Sequence, residues 1–104
     1  MKITLTKPLS YKDTELDTLD LDLGSLTGRD LLDTEEALKR SGVSVAAWEF
    51  SRTFLLSVAA RSLHIPAEVL KGLSASDFTK LINEVLSFLA GQDSGDLMPQ
   101  SSGS

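Results

Sequence analysis

Cysteine is absent from this chain of 104 residues, and histidine occurs once, as His64. Without cysteine there is no disulfide framework, no thiolate metal site and no cysteine nucleophile, and one imidazole cannot build a multi-histidine metal cage. The nearest candidate nucleophile is Ser62, but residues two apart on a helix point to different sides, which excludes a local Ser-His pair. We therefore expect a protein that is not an enzyme.

Motifs that hold phosphates or calcium are also missing. The seven glycines are scattered and form neither a GxGxxG nor a GxxxxGK[ST] pattern. Asp17, Asp20 and Asp22 resemble calcium ligands, but an EF-hand loop needs a glycine at its sixth position and a glutamate at its twelfth, and neither falls in place. The sequence therefore predicts no cofactor, no metal and no small-molecule substrate.

Long hydrophobic runs do not occur either. Glu49, Arg52 and Arg61 interrupt the most hydrophobic region, so no stretch approaches the roughly 20 apolar residues of a membrane-spanning helix. Near the start of the chain, Lys7 interrupts the apolar residues before they reach the length of a signal-peptide core. We expect a soluble, cytoplasmic protein that does not bind a membrane.

Basic residues are outnumbered, with 10 Lys and Arg against 15 Asp and Glu and a formal charge of -5. This balance disfavours DNA, RNA and anionic membranes, which are held through clustered Lys and Arg. Nine of the acidic residues lie between Asp13 and Glu36, where Arg29 is the only base. This acidic patch either serves solubility or docks a basic partner.

Two strands are predicted near the N-terminus. Ile3 and Leu5, and later Leu19, Leu21 and Leu23, alternate with polar residues, which is the period of strands buried on one face. Pro8 and the polar residues 10–15 supply a turn between them. The simplest arrangement is an antiparallel hairpin over about residues 2–23, and it needs a cover because an isolated hairpin is marginally stable.

Helices are predicted over about residues 28–41, 44–64, 66–71 and 75–90. Thr27 with Asp30 starts the first and Gly42 stops it. Gly72 is expected to close the short third helix in a left-handed conformation, and Ser74 to Asp77 is a capping-box-like start for the last. The fold class is α+β and mainly helical, with one domain over residues 1–91 and a Ser-, Gly- and Asp-rich tail, 92–104, that we expect to be disordered.

Candidate partner-binding residues come from the first two helices. On the helix predicted over 44–64, one polar stripe contains Glu49, Thr53, Ser57, Arg61 and His64. Phe50 and Leu56 project toward this stripe or its edge, so either the hairpin or a neighbouring helix covers them or they face another protein. Leu31 and Leu38 form the thin apolar face of the first helix and are included as candidates.

Three short motifs follow one another along the chain. They are Ile3-Thr4-Leu5-Thr6-Lys7-Pro8-Leu9, then Leu26-Thr27-Gly28-Arg29-Asp30-Leu31, then Gly72-Leu73-Ser74 with Asp77-Phe78, Leu81, Val85 and Phe88-Leu89. In this order they resemble the tail assembly chaperone family of contractile-tailed bacteriophages and prophages, over most of the chain from Ile3 to about Gly91. Leu26 stands where we would expect proline in family members.

The resemblance implies a protein that binds the long, largely helical tape measure protein and keeps it soluble until tail tube subunits polymerise around it. It also implies action in the cytoplasm of the bacterial host and absence from the mature virion. In related systems a ribosomal frameshift makes a longer product, which here would diverge within 92–104. Self-association through the same apolar residues is a second use that we consider for them. The alternative is a small acidic structural or connector protein of the virion, which binds a permanent neighbour.

Overall fold

The computed structural model describes residues 1–48 and 51–91. Its elements are strands β1 (Lys2–Tyr11) and β2 (Thr14–Asp20), a 3-10 turn (Leu23–Ser25), and helices α1 (Gly28–Arg40), α2 (Arg52–Leu63), α3 (Ala67–Leu70) and α4 (Ala75–Leu89). The predicted fold class, a two-stranded antiparallel hairpin followed by helices, is confirmed. The predicted disorder of 92–104 concerns residues outside the described part of the chain.

The hairpin turns at Lys12 and Asp13, which both have positive φ, 51° and 61°. This pair of left-handed residues is typical of a two-residue hairpin loop whose twist matches that of the strands. The pairing of the two strands is irregular. Thr4 pairs with Thr18 and Leu9 with Leu16, so the stretch of β1 between these two pairs is longer than the matching stretch of β2. The additional residues of β1 bulge out of the ladder, and Pro8, which has no N–H to donate, lies within them.

The core lies between the inner face of the hairpin and α2. From the hairpin side, buried residues include Ile3, Leu5, Leu9, Leu19 and Leu21, and α2 buries Phe54, Leu55, Leu56, Val58 and Ala59. Helix α4 closes the other side with Leu81, Ile82 and Val85. Helix α2 is the central helix of the fold, because α1, α3 and α4 all pack on it.

The start of α2 differs from the prediction of a helix over 44–64, since α2 begins only at Arg52. Two local interactions explain the difference. The N–H of Val43 donates to the carbonyl of Leu38 at 2.9 Å, which holds the chain in the turn that ends α1. Ser51 then caps the new helix, because its hydroxyl accepts from the N–H of Phe54 at 3.3 Å.

Helix α1 begins with a complete capping box. The hydroxyl of Thr27 accepts from the N–H of Asp30 at 3.3 Å, and the carboxylate of Asp30 accepts from the N–H of Thr27 at 2.8 Å. At the other end Gly42 has a φ of 96°, a conformation that favours glycine. Both predicted ends of this helix are therefore confirmed.

Thr27→Ala is expected to lower the free energy of unfolding by about 1 kcal/mol, because the substitution removes the side-chain acceptor of the cap. Thr18, an exposed threonine in β2, offers the control substitution Thr18→Ala. Thermal melts followed by far-ultraviolet circular dichroism measure both variants. Equal melting temperatures for the two variants would contradict the importance of this cap.

Gly72 has a role other than the predicted one. Lys71, which follows the last residue of α3, has right-handed conformation, and the left-handed residue in this region is His64, with a φ of 57°. A Cβ on Gly72 would lie 3.3 Å from the carbonyl oxygen of Val69, which is a tight contact, and 3.7 Å from Cδ1 of Leu9, which is an ordinary one. Glycine here keeps the chain clear of the last turn of α3, and the expectation of a left-handed cap was wrong.

Candidate functional site

A groove lies over the first half of α2, between the end of α1, α3 and the start of α4. One cavity of about 320 Å³ is lined by Leu38, Arg52, Thr53, Leu56, Ser57, Ala67, Glu68, Lys71 and Phe78. An adjoining cavity of about 480 Å³ shares Arg52, Lys71 and Phe78 and adds Leu73, Ala75 and Thr79. We call this surface the α2 groove.

Two of the four predicted partner-binding residues meet in the α2 groove. Leu38 comes from α1 and is half-buried, whereas Leu56 comes from α2. Leu56 lines the cavity together with Thr53 and Ser57 of the polar stripe, but it is only 4% exposed. Because Leu38 and Phe78 flank the same cavity, neighbouring helices cover Leu56, which is the alternative that the sequence left open.

The other two predicted residues lie elsewhere. Leu31 is half-buried and packs against the core, and the structure does not bring it to the α2 groove. Phe50 lies outside the described residues. The exposed large apolar side chain of α1 is instead Leu32, at 65%. The sequence indicates an exposed leucine here, because consecutive residues of a helix point in different directions and Leu31 and Leu32 cannot both face the core equally.

Most residues that line the groove were not among the predicted site residues, and three of them supply its main apolar and charged groups. Phe78, named in the sequence only as part of the third motif, is half-buried in the groove wall. Arg52 and Lys71 are exposed and bring positive charge to the rim. The ammonium of Lys71 lies 2.8 Å from the carboxylate of Glu68, and the two side chains are 58% and 81% exposed. No pattern of spacing connects these three residues, because they come from different helices.

A wider cleft of about 740 Å³ lies at the other end of α2. Arg61, His64 and Asp30 are among the residues that line it. The N–H of Thr27 contributes most to lowering the pKa of Asp30, and the positive charge of Arg61 makes a smaller contribution in the same direction. Ser62 does not pair with His64 in this structure, because its hydroxyl accepts from the N–H of Asp22 at 2.7 Å. That hydrogen bond attaches the end of the hairpin to α2.

The buried carboxylate of Asp77 is the strongest polar feature that links distant parts of the chain. It is 0% exposed and accepts from the N–H of Thr6 at 3.0 Å, the hydroxyl of Thr6 at 3.1 Å and the N–H of Lys7 at 3.3 Å. Asp77 also donates its own N–H to the Ser74 hydroxyl at 3.2 Å, which caps α4 as predicted. The contact with β1 was not predicted.

The hydrogen bonds set the charge state of this carboxyl. The N–H of Thr6 lowers the pKa of Asp77 most; burial opposes this, and the N–H of Lys7 and the hydroxyls of Ser74 and Thr6 add to the lowering. Nearby, Lys80 donates its ammonium to the carbonyl of Thr4 at 3.1 Å. The hydrogen bonds to Asp77 satisfy the N–H groups of Thr6 and Lys7, which lie in the bulge of β1. Together with the bond from Lys80, they hold α4 against the strand.

Metal-binding clusters and membrane-spanning helices are both missing from the described residues. Within 1–48 and 51–91 no group of three or more His, Asp or Glu side chains is placed to hold a metal ion. No helix in this part of the chain has the length and apolar character needed to span a bilayer. Comparison with protein-family models, curated proteins and solved structures finds no match to the chain.

Proposed function

We propose that this protein is a phage tail assembly chaperone, which binds the tape measure protein through the α2 groove and keeps it soluble during tail assembly. The observation that supports the proposal most is the groove itself. An aggregation-prone helical client needs an apolar surface to cover it, and an amphipathic helix is commonly bound in a groove between helices. Leu38 and Phe78 offer such a surface while remaining partly exposed.

A second support is that the three motifs behind the family resemblance have structural roles in one fold. Thr6 and Lys7, from the first motif, donate to Asp77, from the third, across 71 and 70 positions of sequence. Thr27 and Asp30, from the second, form the capping box of α1. Residues that hold a fold together in this way are those that we expect relatives of the same fold to share.

The acidic surface of the hairpin suits a soluble carrier. Asp13, Glu15, Asp17 and Asp20 are all exposed, and net negative charge opposes association of the loaded complex. We place the protein's action in the cytoplasm of the bacterial host, before the virion is complete. This role consists only of binding and release, and it requires no catalytic residue.

Co-expression with the tape measure protein encoded nearby in the same genome tests the proposal. The soluble fraction is analysed by size-exclusion chromatography with light scattering, with the tape measure protein expressed alone as the control. The expected result is a soluble complex of fixed stoichiometry that is absent from the control. A client that stays insoluble, together with this protein eluting alone, would contradict the proposal.

The alternative is a small structural or connector protein whose exposed acidic hairpin binds a permanent neighbour in the virion. The cluster of exposed carboxylates on β2 favours this candidate. The two functions differ in residence, because a chaperone leaves before assembly is finished. We therefore expect mass spectrometry to find no copies of this protein in purified particles. Its presence there at fixed stoichiometry would support the structural role.

A further inference from the structure

The α2 groove combines an apolar lining with exposed positive charge. Leu38 and Phe78 are half-buried in its wall, and Arg52 is exposed on its rim. Lys71 also lines the groove, and its exposed pair with Glu68 contributes little stability and leaves ammonium donors for another carboxylate. This surface fits a segment in which carboxylates stand next to large aliphatic side chains.

The chain itself contains such a segment, outside the described residues. Residues 92–104 include Asp93 and Asp96 and neither lysine nor arginine, and Leu97 and Met98 follow directly. These two are the only large aliphatic residues in that part of the sequence. Their charge and apolar character complement those of the α2 groove.

The chain that follows Gly91 is long enough to return from the end of α4 to the α2 groove. From Phe78 to Leu89 the helix rises about 17 Å, and an extended chain from Gly91 to Leu97 spans about 20 Å. Gly91 has a φ of 79°, a left-handed conformation that ends a helix and lets the chain change direction. Leu86 and Leu89 are half-buried and continue the stripe of Phe78 at helical spacing, so the return path is partly apolar.

We propose that the segment around Asp96 folds back and docks in the α2 groove of the same molecule. Leu97 and Met98 pack against Phe78, and the Asp96 carboxylate lies beside Arg52. Because the segment is attached, its local concentration is on the order of millimolar, and a weak interaction suffices to fill the groove. The docking itself requires no client.

The absence of cysteine makes a direct test straightforward, because Ser101→Cys introduces the only thiol in the full chain. A nitroxide label on this thiol broadens the amide signals of residues that come close to it. We expect the signals of Thr53 and Phe78 to lose most of their intensity when the label is oxidised, relative to the reduced label. Thr18 in β2 is expected to keep its intensity.

Substitutions in the labelled protein separate docking from chance proximity. Leu97→Ser with Met98→Ser should restore the groove signals, and Arg52→Glu should restore them in part. The charge exchange Arg52→Glu with Asp96→Lys should bring the broadening back, whereas Arg29→Glu, a charge reversal at the start of α1, should not change it. The inference is overturned if the groove signals are not broadened, if broadening survives the Leu97 and Met98 substitutions, or if it disappears on dilution, since dilution would separate different molecules.

Discussion

Asp77→Ala is expected to lower the melting temperature by roughly 5 to 15 °C. The substitution removes the carboxylate acceptor of the Thr6 and Lys7 N–H groups, whose hydrogen bonds are part-buried. Because both residues are exposed, water reaches these groups once the acceptor is gone, and the expected cost is about 1–2 kcal/mol. In a domain of this size each 1 kcal/mol corresponds to roughly 4–8 °C. Thermal unfolding at pH 7, followed by circular dichroism, measures the effect.

Ser76→Ala is the matched control for this prediction. Ser76 precedes Asp77 in α4 and is exposed, so its replacement is expected to leave the melting temperature nearly unchanged. If Asp77→Ala melts at the same temperature as Ser76→Ala, the hydrogen bonds to β1 do not stabilise the fold.

The same carboxylate predicts a dependence of stability on pH. Since the pKa of Asp77 is lowered in the folded protein, chiefly by the N–H of Thr6, the folded state binds this proton less readily than the unfolded state. The stabilisation is therefore complete above the ordinary value of 3.8 and is lost as the pH falls from there through the lowered pKa. Melting temperatures between pH 5 and pH 2 should fall less steeply in Asp77→Ala than in the wild type. A remaining slope is expected from Asp30, whose pKa is also lowered, chiefly by the N–H of Thr27.

Leu38→Ser with Phe78→Ser is expected to abolish the soluble complex with the tape measure protein while the chain remains folded. Both side chains line the α2 groove and are only half-buried, so the double variant loses apolar contact area for a partner and retains the central core. Co-expression with the client, followed by light scattering, gives the readout. Circular dichroism of the isolated variant checks that the helices are present.

Leu32→Ser provides the control for the groove variant. Leu32 is the exposed large apolar side chain of α1, at 65%, and it does not line the groove. We expect this variant to form the complex like the wild type. If Leu32→Ser abolishes the complex and the groove variant does not, the client binds the outer face of α1 instead. Substitution of Leu56 would not distinguish these cases, because removing a side chain that is 4% exposed perturbs the core.

The features that could be predicted from the sequence are local ones. The alternation of Ile3 and Leu5 predicted a strand, and Thr27 with Asp30 predicted a helix start, because the interactions involved lie within a few residues. The start of α2 was predicted too early because the segment after Ser44 contains neither glycine nor proline. The competing interaction there is the hydrogen bond from Val43 back to α1, which propensities do not indicate.

The candidate site depended on tertiary packing and was predicted only in part. A helical pattern placed Leu56 near a polar stripe, but it could not show that α1 and α4 would flank that side of α2. Phe78 and Arg52 come from different helices, so the spacing of residues along the sequence does not indicate that they line the same groove. Asp77 was identified as part of the capping-box-like start of the last helix, and its hydrogen bonds to Thr6, 71 positions away in the chain, could not be predicted locally.

The hydrogen bonds between Thr6 and Asp77 also have a consequence for how the protein folds after synthesis and for its amide hydrogen exchange. The hairpin emerges first during synthesis, but its bulged strand gains its acceptor only when α4 has been synthesised, so the fold is completed late and as one unit. The amide hydrogen of Thr6 lies in an irregular part of a strand, where fast exchange with solvent would be expected. Its acceptor is nevertheless buried on another element, so we expect this hydrogen to exchange only when the whole domain unfolds.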